Sequence, residues 1–283
     1  MDPSPTDNSF EETVKSIGDL HGNMAVLAKL DAVLRNLDTD ISEPERLIQS
    51  DGAISGTIVQ ISNSPLFGFG EKSDNIATAL QKVGYNQALK LVGMALSKQV
   101  FMRDLESYGI TADSYWRYSY FTAVFLERQA KNLGIDSDQA YLFGLLHSIG
   151  RVVVNEILHT REIEVFWDRF IPEKEWELMM IGFTNQKAGA LLLGLWDFPA
   201  DLCTRIETQN DSVAQKGDLL LSILDYARIL ANHLIDPPRL RALCKAGSHP
   251  AQAKLRTSAP ELIKEVSEVE AHVEEVYASL KEC

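Results

Sequence analysis

The stretch WRYSYFTAVFLERQAKNLGIDSDQAYLFGLLHSIG, residues 116–150, indicates the fold class of this chain. Residues 116–133 have the amphipathic pattern of a helix, and Gly134 is a favourable helix stop. Ser137 and Asp138 can begin the next helix, because short polar side chains accept hydrogen bonds from the free N–H groups of a first turn. The stretch therefore predicts two consecutive helices.

The same helical pattern continues towards the N-terminus. Leu27, Leu30, Leu34 and Leu37 recur at three- and four-residue steps and form one apolar stripe. Further helices are predicted to begin near Ser42, to cover residues 54–61 before Asn63-Ser64-Pro65, and to run from a cap at Ser73 or Asp74 to Gly84.

One segment resembles a strand, the β-branched run Val152-Val153-Val154. It is short and lies among helical segments, so we interpret it as helix. Alternating apolar and polar residues joined by Asn-Gly or Asp-Gly turns, the usual mark of hairpins, do not occur elsewhere. The sequence predicts an all-α fold.

Composition limits the classes of partner. The 283 residues include 40 acidic and 27 basic ones, giving a formal net charge of -13. Because the basic residues are scattered, they form no cluster that could displace counterions from a nucleic acid, and an acidic surface disfavours anionic membranes.

The chain has three cysteines that form no CxxC pair, which favours reduced thiols: Cys203, Cys244 and Cys283. With no signal-like N-terminus and no uncharged long apolar stretch, we expect a cytoplasmic protein.

The last helix carries the sharpest pattern in the chain. Its apolar residues are spaced four, three, four, three and four apart, as in the a/d seam of a heptad repeat: Leu262, Val266, Val269, Val273, Val276 and Leu280. The seam extends for fewer than the three or four heptads that a stable coiled coil needs. It predicts either a helix packed along its own domain or a seam for a homodimer or another partner.

Several short segments occur in the order and spacing of one known family. The first group, residues 47–84, includes an acidic turn at Asp51 and the helical segment IVQISNSPLFG. The second group, residues 115–199, includes YWRYS, FGLLHSIG, GFTN, GALLL and WDFP. Together they resemble the HDOD family, a relative of the HD and HD-GYP phosphohydrolases, over most of residues 16–235.

This resemblance implies two helical lobes, of which the C-terminal one is HD-like. The expected boundaries are a flexible N-terminus over residues 1–15, an N-terminal helical lobe over 16–112, an HD-like lobe over 113–255 and a C-terminal amphipathic helix over 256–283.

The HD phosphohydrolases use His and Asp side chains on several helices to bind divalent ions, which generate hydroxide from water. The resemblance places seven of these positions in this chain. Five have lost the ligand type: Tyr118, Asn185, Gln209 and Asn210 stand in place of His, and Ser148 in place of the bridging Asp. His147 and Asp225 keep it.

One imidazole and one carboxylate fall short of the three protein ligands that catalytic metal sites usually have. We therefore expect no metal, no cofactor and no catalytic residue, and we interpret the seven positions as a degenerate, hydrogen-bonded pocket. Within it, His147 is expected to bond to a carboxylate such as that of Asp225.

The resemblance implies a non-enzymatic bacterial signal-transduction regulator that contacts a kinase, a response regulator or a cyclic-di-nucleotide enzyme. One alternative is a metal-dependent phosphohydrolase acting on a nucleotide or phosphoester, with ligands in unexpected places such as His159, His233 or His249. Another is a metal-free sensor that binds a small molecule in the degenerate pocket.

Overall fold

The computed structural model of the chain describes residues 7–20, 24–36, 42–64, 71–84, 87–234, 236–247, 249–255 and 257–281. These residues form sixteen α-helices: α1 (Asp7–Leu20), α2 (Met24–Arg35), α3 (Ser42–Gln49), α4 (Gly52–Ser62), α5 (Ile76–Val83), α6 (Ala88–Phe101), α7 (Ala112–Leu133), α8 (Ser137–Leu146), α9 (Gly150–Thr160), α10 (Glu173–Ile181), α11 (Asn185–Leu195), α12 (Ala200–Thr208), α13 (Ser212–Gly217), α14 (Leu219–Ala231), α15 (Pro237–Ala246) and α16 (Ala259–Lys281). Apart from one bridge between Leu105 and Ile110, the described residues contain no β-structure, and the all-α prediction is confirmed.

Helices α2 to α6 pack on one another. Asp51 begins α4 by accepting hydrogen bonds from the backbone N–H groups of Ala53 and Ile54, both at 2.9 Å. The Asn63 side chain at the end of α4 bonds to both backbone groups of Ser73, at 2.7 and 2.8 Å. The Asp51 bonds satisfy free N–H groups at the start of α4, and the Asn63 bonds join the end of α4 to the residues just before α5.

Helices α7 to α14 form the second group, in which α7 packs against α8 and α14, and α11 packs against α9 and α12. Glycines allow two of these contacts. A Cβ atom on Gly150 would lie 1.7 Å from the Asn185 carbonyl oxygen, and one on Gly144 would lie 2.6 Å from the Ala123 Cα. The helix backbones therefore touch at distances that exclude side chains.

The N-terminal segment differs from its prediction. Residues 1–15 were expected to be flexible, whereas the structure has a helix from Asp7 onward. The reason is apolar burial, since Phe10 and Val14 are buried and α1 packs against α9 and α11. The Phe10 ring lies 3.9 Å from that of Phe183, centroid to centroid.

Helix α16 uses its heptad seam within the chain. All six seam residues are at most 1% exposed, and the helix packs against α7 and α15. The ring of Tyr277 lies 5.4 Å from that of Trp116, centroid to centroid. The Arg117 guanidinium donates hydrogen bonds to both carboxylate oxygens of Glu274. A homodimer through this seam would have to displace α7, so the structure favours the packed-helix interpretation over the homodimer that the sequence also allowed.

The predicted helix bounds hold closely, and the run Val152-Val153-Val154 lies inside α9, as predicted. The observed caps of α5 and α8 are Asn75 and Asp136, one or two residues from the predicted ones. The predictions for Leu37, Pro65 and Cys283 lie outside the described residues.

Among the described residues, one stretch has the length and apolar composition of a membrane span, Ser137–Thr160. Of its most apolar window, 83% is buried inside the protein. This burial is typical of core helices, which pass the same test.

Candidate functional site

The structure brings six of the seven predicted pocket positions into one linked group. The Tyr118 ring lies 5.1 Å from the His147 ring, and the Gln209 side chain donates to the His147 carbonyl oxygen at 2.8 Å. Ser148 follows His147 directly, and its hydroxyl lies 3.2 Å from that of Ser119. Two further positions join the group through charged residues outside the seven predicted ones: Asn185 through Glu177, and Asn210 through Arg228.

Asp225 does not join this group through any described bond. Its side chain is 43% exposed and accepts a hydrogen bond from His249 Nε2 at 3.0 Å. The predicted bond between His147 and Asp225 is therefore wrong. The sequence could not separate these pairings, because both histidines are compatible with a carboxylate partner.

His147 is held as a neutral imidazole. Its Nδ1 lies 2.7 Å from the Gly144 carbonyl oxygen, a geometry that suits an N–H donor, and its side chain is almost fully buried. Burial, followed by the charges of Arg228 and Arg151, lowers the pKa of His147 well below its usual value. Its Nε2 atom has no hydrogen-bond partner among the described residues.

The amides that replace histidines are engaged in structural hydrogen bonds. Asn185 donates to the Glu177 carboxylate twice, from its backbone N–H at 2.8 Å and from Nδ2 at 2.6 Å. Gln209 Nε2 donates to the carbonyl oxygens of His147 and Ile206. Because these amides donate through nitrogen, they join helices to one another and do not present a converging set of metal ligands.

Arg228 places a fixed positive charge among the former ligand positions. Its Nη1 donates to the Asn210 side-chain oxygen at 2.7 Å, and its Nε donates to the Tyr118 hydroxyl at 3.3 Å. The family resemblance aligns both Tyr118 and Asn210 with histidines of the HD phosphohydrolases. The guanidinium thus bridges two of the predicted pocket positions.

A second arginine lies in a buried network beside the pocket. Arg151 binds Glu173 through two hydrogen bonds, at 2.6 and 2.9 Å, and its guanidinium lies 5.5 Å from the centre of the Tyr118 ring. Burial opposes ionisation of Glu173, but the charge and hydrogen bonds of Arg151 outweigh it and lower the pKa of this carboxyl. Glu177 is fully buried and accepts from Tyr108 at 2.7 Å; burial and the nearby Glu173 raise its pKa.

This network was not among the predicted features, although one signal of it is present in the sequence. Glu173 and Glu177 are four residues apart on a helix whose Trp176 is apolar, and such spacing brings two carboxylates to one face. Arg151 follows the FGLLHSIG segment directly.

The residues present do not fit a catalytic divalent metal. No group of three or more His, Cys, Asp or Glu side chains within the described ranges is arranged to hold one. Arg228 places a like charge between Tyr118 and Asn210, and Asp225 is bonded to His249. A cation between these two side chains would be repelled by Arg228.

Comparisons with known proteins identify the family and the fold. The family model of the HDOD domain matches residues 23–212. A search of curated proteins gave no match. Three solved structures share the fold at TM-scores of 0.66, 0.65 and 0.63.

The first is a candidate phosphohydrolase from Shewanella amazonensis SB2B, with 19% identity over 90% of this chain and 93% of its own. The second is an HDOD domain protein of unknown function from Geobacter sulfurreducens, with 18% identity over 89% of this chain and 91% of its own. The third is a candidate signal transduction protein from Marinobacter aquaeolei VT8, with 18% identity over 99% of this chain and 59% of its own. These likenesses show a shared fold, and the family match covers well over half of the sequence. The chain belongs to the HDOD domain family.

Proposed function

We propose that this protein is a non-enzymatic, cytoplasmic regulator of bacterial signal transduction that acts by contact with other proteins. The observation that carries the non-enzymatic part is the Arg228 guanidinium bonded to Tyr118 and Asn210. Metal-dependent hydrolysis needs a divalent ion with open coordination positions and a bound water. Here a permanent cation occupies the neighbourhood of that ion, and amide and hydroxyl groups replace its ligands.

Support for a contact function comes from exposed apolar side chains. Phe166 and Phe170, in the segment between α9 and α10, are 66% and 91% exposed, and Met179 on α10 is 69% exposed. Phe166 and Phe170 are four residues apart in one segment, and grouped exposed apolar side chains commonly mark interaction surfaces. The family match and the exposed phenylalanines together favour a signalling partner such as a kinase, a response regulator or a cyclic-di-nucleotide enzyme.

We expect the purified protein to contain far less than one metal ion per chain when iron, manganese and zinc are supplied during growth. Inductively coupled plasma mass spectrometry measures the metal content, and hydrolysis of bis(p-nitrophenyl) phosphate with added Mn²⁺ measures the activity. Hydrolysis should stay at the rate of buffer alone. One or two ions per chain, lost on His147→Ala or on Asp225→Asn, together with metal-dependent turnover, would establish the phosphohydrolase alternative instead.

We expect the double change Phe166→Asp/Phe170→Asp to lower the recovery of a specific signalling partner at least tenfold. The reason is that two charges replace the apolar contact area while the fold keeps its core, because both side chains are exposed. Cross-linking in the native cells followed by mass spectrometry measures the recovery. Val213→Asp is the matched control, since Val213 is 76% exposed and belongs to α13, outside the segment between α9 and α10. Equal recovery with both variants would show that this segment is not the contact surface.

A further inference from the structure

A cavity of about 490 Å³ opens beside the degenerate pocket. Its walls come from the start of α7, from Arg151 on α9, from the segment between α9 and α10, and from the facing parts of α14 and α16. Tyr118 belongs to both the pocket and the cavity wall. This volume lies within the range of small-molecule sites in proteins, about 300–1,000 Å³.

Three arginines line the cavity, and two of them are held by carboxylates. Arg117 is bonded to Glu274, and Arg151 is bonded to Glu173. Arg169 also lines the cavity, and within the described part of the chain it makes no ion pair; its guanidinium lies 5.7 Å from the centre of the Trp167 ring. Its charge contributes to lowering the pKa of Glu173, but its N–H groups are available to a ligand.

The backbone holds Arg169 in an unusual conformation. Its φ angle is +67°, in the left-handed region that residues with a Cβ rarely adopt. The turn is fixed next to it, where the Phe170 N–H donates to the Asp168 carboxylate at 3.0 Å. Strained backbone of this kind occurs often at ligand-binding sites, where it positions a side chain.

The start of α7 adds a hydroxyl donor to the cavity lining. Thr111 caps this 22-residue helix, and the side chains of Thr111 and Ser114 both line the cavity. The first N–H of the helix, that of Ala112, already donates to the Asp104 carboxylate at 2.7 Å, and the Thr111 hydroxyl donates to that of Ser114 at 3.0 Å. The Ser114 hydroxyl is therefore the donor that this end of α7 offers to a ligand.

The residues of α14 and α16 that line the cavity have a different chemistry. Asn232 and Glu270 supply polar side chains, and Leu234 and Val273 supply apolar surface. A carboxylate repels an anion but accepts hydrogen bonds from hydroxyl groups. The ligand that suits this lining together with Arg169 therefore has both an anionic group and hydroxyl groups.

We propose that the cavity binds a small phosphate ester bearing hydroxyl groups, with its phosphate at Arg169 and the Ser114 hydroxyl and its hydroxyl groups at Asn232 and Glu270. Such a molecule would be the input of the regulator proposed above. The binding itself needs no partner protein, so it can be tested independently of the proposed function.

Isothermal titration calorimetry of the full chain tests this binding with three probes: adenosine 5′-monophosphate, glycerol 3-phosphate and inorganic phosphate. Adenosine and glycerol are the uncharged counterparts. We expect saturable binding of at least one ester, at least tenfold weaker binding of its uncharged counterpart, and no consumption of the ester.

Arg169→Ala should weaken binding of that ester at least tenfold, because it removes the uncompensated charge. Arg161→Ala is the matched control, since Arg161 is an exposed arginine of the same segment that does not line the cavity. Glu270→Gln should preserve phosphate binding but lower the preference for the ester over inorganic phosphate.

Three results would overturn the proposal: no saturable binding of either ester, equal affinity in Arg169→Ala and Arg161→Ala, or inorganic phosphate binding as tightly as the esters. The last result would indicate a simple anion site. Circular dichroism of each variant excludes unfolding as the cause of a loss, and Arg169 is exposed, so its replacement leaves the core intact.

Discussion

Replacing Gly150 with alanine should destabilise the protein by more than about 4 kcal/mol, enough to prevent stable folding in a domain of ordinary stability. The new methyl group would lie 1.7 Å from the Asn185 carbonyl oxygen and within 2.8 Å of the Gly189 backbone nitrogen. Both neighbours are backbone atoms, so no side-chain rotation can relieve the overlap. Helices α9 and α11 would have to separate, which would uncover the apolar surface between them.

Urea denaturation followed by circular dichroism measures this effect as a shift of the unfolding midpoint. Gly194→Ala is the matched control, because Gly194 also lies in a helix but has no atom within 4 Å of its added methyl group. The control should be neutral or more stable by up to about 1 kcal/mol, from the higher helix propensity of alanine. A loss below 1 kcal/mol for Gly150→Ala would contradict the close packing of α9 and α11.

Replacing Arg151 with methionine should cost about 3–5 kcal/mol of unfolding free energy at pH 7. The change leaves Glu173 ionised in a site where its side chain is only 14% exposed. The matched control is Arg128→Met, which breaks an ion pair with Glu268 whose side chains are 34% and 51% exposed. Exposed pairs contribute about 0–1 kcal/mol, so the control should lose little.

The cost of Arg151→Met should shrink as the pH falls. In the native protein Arg151 lowers the pKa of Glu173, so the pair stabilises the fold above the ordinary pKa of a glutamate, and this contribution is lost as the pH falls through the lowered value. In the variant, burial without Arg151 raises the pKa of Glu173, and its protonation at acidic pH removes the penalty. Denaturation of both proteins at several pH values measures the difference, and a pH-independent difference would show that Glu173 is not the cause.

Much of the fold could be predicted because its signals are local. Gly134 ends α7 in the left-handed conformation, and the Asn63 segment ends α4, as the sequence indicated. The heptad seam identified the buried face of α16, but not what covers it. The choice between a homodimer and α7 depends on contacts between residues far apart in sequence, and these carry no local pattern. The helix over Phe10 and Val14 was missed for the same reason, since its apolar partner lies on α9 and α11.

The candidate site was predictable as a set of positions and not as a set of bonds. The family motifs predicted a shared pocket, and in the structure the side chains of Tyr118 and Gln209 contact His147, which precedes Ser148 directly. Arg228 could not be assigned from the sequence, because an arginine on a helix usually points to solvent. Its role depends on the crossing of α14 with α7, which brings it to the Tyr118 hydroxyl.

The position of α16 over α7 has a consequence for the synthesis of this chain. Arg117 and Glu274 are 157 residues apart. At roughly 5–20 residues per second, α16 is made about 8 to 30 s after α7. During that interval the surface around Trp116, which Tyr277 of α16 later covers, stays exposed. The delay is far longer than the microseconds that a helix needs to form. The rest of the bundle therefore has to persist, or be shielded by a chaperone, until the last helix arrives, and a stalled chain would present an apolar groove to other proteins.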